Sequence, residues 1–232
     1  MGNQFATLAK NGEVLTMSPR YDRIIPWEVR ETVYSMLSDI QQEILIGTML
    51  GDGHLEQNGK GVRLRVDHGI SQKEYLHWKY QAFKDLVPSE PRVIRSFHKR
   101  DQRHDERFHF STYSNGTFRE WHELFYQKKV KVIPESISKI LKSPLSLAVW
   151  FMDDGYKRND CNALRISTDL FTRLEQERLI ECLKRNYGIG STIHKKGKTY
   201  NIYIPESSAW KFVDTVRPYI IDSLLYKVSL TP

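Results

Sequence analysis

Two short runs along the chain are apolar on nearly every side and end in an acid followed by glycine. Ile44, Leu45, Ile46, Met49 and Leu50, interrupted by Gly47, lead to Gly51-Asp52-Gly53. Leu145, Leu147, Ala148, Val149, Trp150, Phe151 and Met152 lead to Asp153-Asp154-Gly155. Runs of this kind predict helices buried on all sides. Ser38-Asp39-Ile40-Gln41 has the form of a capping box at the start of the first. Ser143-Pro144 offers an N-cap followed by an N1 proline at the start of the second. The glycines at each end let the backbone turn sharply out of the helix.

The surroundings repeat along with the helices. Subtracting 52 from 154, 63 from 165 and 67 from 169 gives 102 each time, so Asp52, Arg63 and Asp67 lie in register with Asp154, Arg165 and Asp169. In that register residues 62–67 and 163–169 both alternate apolar and polar, the signature of half-buried strands. Helical patterns follow over 72–86 and 174–187. Strand candidates then occupy 92–98 and 106–113 in one half and 191–195 and 199–204 in the other, and closing helices 116–126 and 207–216. The shared order of helix, two strands, helix, two strands, helix is an internal duplication, a repeat to be settled before other fold assignments. It predicts an α+β fold with halves at 38–130 and 143–232 and a linker at 131–142. Residues 1–37 carry no strong pattern beyond an amphipathic stretch from Trp27 to Leu37, and are expected to form an N-terminal extension.

The duplication gives the acids a meaning that one copy would lack. A single apolar helix ending in glycine is ordinarily a core element and nothing more. Two copies, each with a small residue in the apolar face (Gly47 and Ala148), can pack closely about a pseudo-two-fold axis. Their C-terminal ends, and with them Asp52 and Asp154, then meet at one place beside the partly negative ends of two helix dipoles. Two such carboxylates need a counter-charge. A hard divalent cation such as Mg²⁺ supplies it, taking one or two carboxylates together with water and phosphate oxygens. That donor set suits phosphodiester cleavage.

Charge points the same way. Lys and Arg number 35 against 28 Asp and Glu, a formal net charge of +7. The excess favours an anionic partner. The two cysteines, Cys161 and Cys182, form no C-x-x-C pair, which argues against a zinc ribbon or a disulfide framework. A reducing intracellular setting is expected, with an organelle (mitochondrion or chloroplast) or a prokaryotic cytoplasm fitting equally. No apolar run is long enough to span a membrane.

Both acid-ended segments resemble the signature of the LAGLIDADG homing endonucleases, in the branch that carries two motifs on one chain. The first copy keeps Leu45, Gly47, Asp52 and Gly53, with Thr48 and Leu50 departing from the pattern; the second, Leu147 to Gly155, is closer. Ile133-Pro134, Arg217-Pro218-Tyr219-Ile220 and Leu225-Tyr226-Lys227 are similar to the same branch, so the resemblance runs over about residues 40–230. It implies a tandem, pseudo-two-fold αββαββα fold whose two antiparallel sheets form a saddle on double-stranded DNA. It implies a monomer that hydrolyses both strands of a long asymmetric site with Mg²⁺, or Mn²⁺ as a substitute, and promotes movement of an intron or intein. Asp52 and Asp154 would bind the metals, helped by the backbone carbonyls of Gly51 and Asp153. Lys131 and Lys227 would be the basic residues beside them, where a cation can orient water or steady phosphate charge. Lys128 and Lys129 leave open that Lys131 belongs to a solvated run.

Strand faces and loop tips supply the candidate DNA contacts. In the first half these are Arg63, Arg65, Asp67, Arg92, Arg95, His98, Lys99, Arg100, Arg103, Arg107 and His109; in the second, Lys157, Arg158, Arg165, Ser167, His194, Lys195, Lys196 and Lys198. Arginines at guanine edges would specify a sequence, and lysines on phosphates would position the protein. Each residue singly could be a solvated charge; as a set mirrored between halves they favour DNA. Arg65 and Ser167 occupy equivalent places, so the two half-sites are not expected to be treated alike. His98, His104 and His109 raise a His-metal nuclease as an alternative, but no Asn-His partner segment or Cys pair accompanies them. Two further readings share the fold: an RNA maturase acting on a host intron, and a nuclease-dead DNA-binding regulator, against which both retained aspartates argue.

Overall fold

The computed structural model describes residues 6–10, 13–17, 37–98, 102–197 and 199–231. A hairpin of β1 (Ala6–Lys10) and β2 (Glu13–Met17) precedes the first half. It lies where the sequence carries no strong pattern, and the amphipathic stretch before Leu37 lies outside the described residues. Helix α1 (Asp39–Leu50) opens on the expected capping box, Ser38 and Gln41 each accepting from the other's backbone N–H. Then come β3 (His54–Asn58), β4 (Gly61–Gly69), α2 (Lys73–Phe83), β5 (Arg92–His98), β6 (Arg103–Ser111) and α3 (Gly116–Phe125). A two-residue-strand hairpin, β7 (Tyr126–Gln127) and β8 (Val130–Lys131), and the short α4 (Ile137–Ile140) lead across. The second half comprises α5 (Pro144–Asp154), β9 (Gly155–Lys157), β10 (Leu164–Ser167), α6 (Arg173–Tyr187), β11 (Thr192–Lys196), β12 (Thr199–Ile204) and α7 (Glu206–Val216). Two 3-10 segments, Arg217–Tyr219 and Asp222–Val228, close the chain.

The duplication is present in the topology. The first half forms an antiparallel sheet of order β3-β4-β6-β5, and the second one of order β9-β10-β12-β11, which is the same arrangement. Strands β3 and β9 were the least visible in the sequence. β9 has three residues, and β3 buries only Leu55 fully, so neither carries a run of alternation long enough to read.

Helices α1 and α5 pack against each other at the centre, with every residue from Ile44 to Leu50 and from Ser146 to Asp153 buried. Glycine makes the approach possible. A Cβ on Gly47 would lie 2.4 Å from the carbonyl oxygen of Ser146 and 2.6 Å from Cβ of Val149. The close contact on α5 therefore falls on Ser146 and Val149 rather than on Ala148, the small residue expected there. Ser146 Oγ also donates to the carbonyl of Glu43 at 2.8 Å, tying the start of α5 to α1.

The 102-residue register holds for the central helices and shifts by two at the hairpin that follows each. His54 pairs with Arg65, whereas its counterpart Tyr156 pairs with Arg165, so Arg165 matches Arg65 and Ser167 matches Asp67, not Arg63 and Arg65 as the sequence spacing suggests. The buried stripe of α2 is Tyr75, Leu76, Lys79 and Phe83; in α6 it is matched by Glu175, Gln176, Leu179 and Leu183, an offset of 100 (175 minus 75). The stretch around residues 131–142 is docked on the second half and does not hang free as a linker. Glu175 accepts from the backbone N–H of Ile133 at 2.8 Å, and Asn186 donates to the carbonyls of Ser138 and Leu141 at 2.9 and 2.6 Å. Among the described residues no helix is long and apolar enough to cross a membrane.

Candidate active site

Both central helices stop at their glycines, and their ends converge. Gly51 is the C-cap of α1; a Cβ there would sit 2.4 Å from Cβ and 2.5 Å from Oδ2 of Asp153. Only a residue without a side chain leaves room for that carboxylate. Asp52 follows, its side chain 45 % exposed, and its backbone N–H donates to Asp153 Oδ2 at 3.2 Å. Asp154 ends α5 and is half-buried. Burial, then Asp52, then Asp153 push the Asp154 carboxyl up to about 8. Burial and Asp153 likewise raise Asp52 above the ordinary carboxylate value. The convergence of helix ends thus brings together carboxylates that resist ionising side by side.

Lysines cap both helix ends. Lys131 Nζ donates to the carbonyls of Gly51 and Gly53 at 2.8 and 2.6 Å. Lys227 Nζ donates to the carbonyl of Met152 at 2.6 Å and lies 3.5 Å from that of Asp153. Each ammonium satisfies carbonyls that a helix C-terminus leaves orphaned and sits where the dipole favours a cation. The tight β7–β8 hairpin, with Lys128 at φ 59°, aims Lys131 inward, so Lys131 is not part of a solvated run. The Asp222–Val228 segment does the same for Lys227. Burial lowers Lys131 to about 8 and lowers Lys227, while the aspartates oppose that shift in both. The carbonyls of Gly51 and Asp153, expected as metal ligands, face these ammonium groups.

A second set of buried polar groups lies beneath the acids. Lys79, with a side chain 0 % exposed, donates to both carboxylate oxygens of Asp153 at 2.7 and 2.9 Å. Its Nζ is also 3.4 Å from His68 Nε2 and 4.5 Å from the centre of the Tyr75 ring. His68 Nδ1 lies 3.6 Å from Asp52 Oδ2. Burial, reinforced by Lys79, lowers His68 to about 4, so the ring is neutral near pH 7. Ligand-capable atoms of Asp52, His68 and Asp153 all fall within 4.8 Å of one another. Asp153 is already neutralised by Lys79, so the carboxylates left to receive a cation are those of Asp52 and Asp154.

The sequence pattern of the LAGLIDADG DNA endonuclease family matches residues 42–212, a span that holds α1 from Gln42 onward, all of α5 and both acids. The chain belongs to this family. It is 32 % identical over 213 residues to the DNA endonuclease I-ChuI of Chlamydomonas applanata, a match covering 83 % of this chain and 96 % of that protein. It is 33 % identical over 192 residues to the cytochrome b mRNA maturase bI2 of Debaryomyces hansenii, covering 80 % and 72 %. Its fold is similar to that of the homing endonuclease I-WcaI, solved bound to its DNA recognition sequence, with a TM-score of 0.82, 26 % identity and coverage of 93 % and 96 %.

In a LAGLIDADG fold the strand pairing sorts the candidate DNA residues by face. On β4 the residues Val62, Leu64, Val66 and His68 are buried, so Arg63, Arg65 and Asp67 occupy the open face. Register adds Arg92, Arg107 and His109 to that face, since Asp67 pairs with His109 and His109 with Arg92. Arg95 belongs to the opposite face with Val93 and is held by Glu106 at 2.7 Å. In the second half Arg165, Ser167 and His194 share the open face, where the His194 ring stacks on Tyr203 at 4.1 Å and the Arg165 guanidinium lies 5.7 Å from the same ring. Lys195 and Lys157 fall on the other face by alternation, and Lys157 donates to the carbonyl of Ser229 at 2.7 Å. Arg158 pairs with Asp160. Backbone positions place His98, Arg103 and Lys196 in β5, β6 and β11, while Lys99, Arg100 and Lys198 lie outside the described residues.

The open-face charges are pre-ordered. Arg63 is bound by Glu56 at 2.6 Å, and Arg65 Nε donates to Asp67 Oδ2 at 2.7 Å. His109 Nδ1 lies 3.2 Å from Asp67 Oδ1. Burial alone would raise Asp67, but hydrogen bonds from His109 and Arg65 outweigh it and hold the carboxyl below its usual range.

Proposed function

We propose that this chain is a homing endonuclease that cuts both strands of a long, asymmetric DNA site, using divalent metal held between Asp52 and Asp154. One observation carries the reading: Gly47 and Gly51 let two acid-ended helices converge so that the acids of both halves meet at one place, where burial first and Asp52 next raise the Asp154 carboxyl. A site that prefers protons to bare charge also prefers a hard cation, and its donors are all oxygen. A bound Mg²⁺, or Mn²⁺ in its place, would supply Lewis-acid stabilisation of phosphate charge and a nucleophilic water. Lys131 and Lys227 fix the loops that carry the acids and put positive charge where a scissile phosphate accumulates negative charge. Arg63, Arg65, Arg107, Arg165 and His194 on the open faces hold the duplex over the centre, and the differing Asp67 and Ser167, matched by the hairpin register, read its two halves unequally. One chain supplies both halves, so a monomer suffices. An intracellular home, organellar or prokaryotic, fits the exposed free Cys161 and buried free Cys182.

The 33 % identity to an mRNA maturase supports a second reading, in which the same basic faces hold intron RNA. One experiment separates the two. The purified chain is incubated with Mg²⁺ and a plasmid library of host-derived or randomised sites. Linear product at one preferred site supports the endonuclease; intact plasmid with tight binding of host intron RNA supports the maturase.

A further inference from the structure

Asp153 is the one acid of the centre with a fully buried ion-pair partner, and the pair is not repeated across the pseudo-two-fold. The Asp153 position corresponds to Gly51 in the first motif (153 minus 51 is 102), and the Lys79 position to Leu179 in the buried stripe of α6. The ion pair joins the second motif to the first half, and the positions that would form its mirror image hold a glycine and a leucine.

What the pair touches is Asp52. Asp153 Oδ2 receives two hydrogen bonds, from Lys79 Nζ at 2.9 Å and from the Asp52 backbone N–H at 3.2 Å. A third Lys79 proton faces His68 Nε2 at 3.4 Å, which must then be the unprotonated ring nitrogen. The His68 proton consequently sits on Nδ1, which faces Asp52 Oδ2 at 3.6 Å. The Asp52 backbone is therefore held from one side and its carboxylate is faced from the other, both by contacts that end at one ammonium group. Tyr75 fixes the floor: its ring lies under Lys79 and its hydroxyl donates to the carbonyl of Val149 at 3.1 Å.

We propose that Lys79, Asp153 and His68 are positioning residues for Asp52, whose backbone and carboxylate their contacts reach, so that cleavage of one DNA strand depends on them far more than cleavage of the other. Each half presents its own acid from the end of its own helix. A displacement of Asp52 without a matching displacement of Asp154 breaks the two-fold relation and disfavours one scissile phosphate. The inference rests on Asp52 being an acid that holds metal.

The test is single-turnover cleavage of a cognate duplex labelled on each strand separately, with Mg²⁺ and enzyme in excess. Lys79→Met alone strands the Asp153 charge in the core, so it is paired with Lys79→Met/Asp153→Ala, which removes both charges. His68→Asn is made independently and leaves the ion pair in place. Folded, DNA-binding variants are expected to change the ratio of the two strand rate constants by about tenfold or more, accumulating duplex nicked in one strand. A purely structural loss would slow both strands equally, and an unchanged ratio in His68→Asn and in any folded Lys79 variant overturns the proposal. Asp52→Asn run beside them separates the two levels. Wild-type cutting by that variant sinks the metal-site reading, whereas a dead Asp52→Asn with an unmoved strand ratio elsewhere sinks this inference only.

Discussion

Gly47→Ala tests the packing that brings the acids together, and its effect can be worked from the geometry. The added Cβ would lie 2.4 Å from the Ser146 carbonyl oxygen and 2.6 Å from Val149 Cβ, where ordinary contact begins at 3.4 Å. Neither obstacle is the far end of a flexible chain: one is backbone and the other a β-carbon. The helices must therefore separate by about 1 Å, and the residues around the contact are already fully buried. Overpacking of this kind costs about 1–3 kcal/mol. At about 2–4 °C per kcal/mol for a chain of this size, Tm should fall by about 2–12 °C. The catalytic consequence should be larger, because a displacement near 1 Å at a positioned centre costs about a hundredfold in rate. Thermal unfolding by circular dichroism and single-turnover cleavage at saturating enzyme measure the two. A variant that melts within a degree of wild type and cuts at the wild-type rate would refute the reasoning that close approach at Gly47 sets the geometry of the acids.

Asp154, pushed up to about 8 when folded, binds a proton on folding between the unfolded carboxylate value near 4 and that value. The metal-free protein should therefore lose stability as pH rises through this window, by up to about 1.4 kcal/mol per unit from this group. Melting curves in chelator from pH 5 to 8.5 should slope downward for wild type and less steeply for Asp154→Asn; parallel profiles would contradict the assignment. Binding to a cognate duplex should weaken by at least about a hundredfold between about 50 and 200 mM salt, as phosphate contacts release counterions. Ca²⁺ should support this binding with little cutting, since its looser coordination organises attacking water poorly. A flat salt profile in a fluorescence-anisotropy titration would remove the open faces from the interface.

The sequence carried the duplication, the helices and the strands with long alternation, because each repeats a simple burial period. Asp52 and Asp154 are legible because two copies of one motif constrain each other, whereas Lys131 and Lys227 rest on the family resemblance. The supporting set is written in the burial pattern but in no motif. Lys79 stands four residues after Tyr75 and four before Phe83, on the buried stripe of α2, and His68 continues the even-numbered core positions of β4 after Val62, Leu64 and Val66. A polar residue in an apolar stripe signals a buried partner, but the partner, Asp153, lies 74 residues away and only the fold supplies it. Arg92 and Arg95, and His194 and Lys195, cannot face the same side of a sheet, and the structure puts Arg95 and Lys195 on the faces opposite Arg92 and His194. The N-terminal hairpin gave no warning, since its strands lack apolar alternation against a polar face.

Joint metal binding by Asp52 and Asp154 for phosphodiester cleavage is tested by removing the charge of each acid in turn. Asp52→Asn and Asp154→Asn keep side-chain size and hydrogen bonding but remove the charge that attracts a divalent cation. Each is compared with wild type for cutting of the cognate duplex in excess Mg²⁺, with DNA affinity measured in parallel. Each variant is expected to bind the duplex with close to wild-type affinity and to yield no double-strand product. If the aspartates only end helices, asparagine is a good turn residue in their place, and near wild-type cutting by either variant would contradict the shared-metal centre.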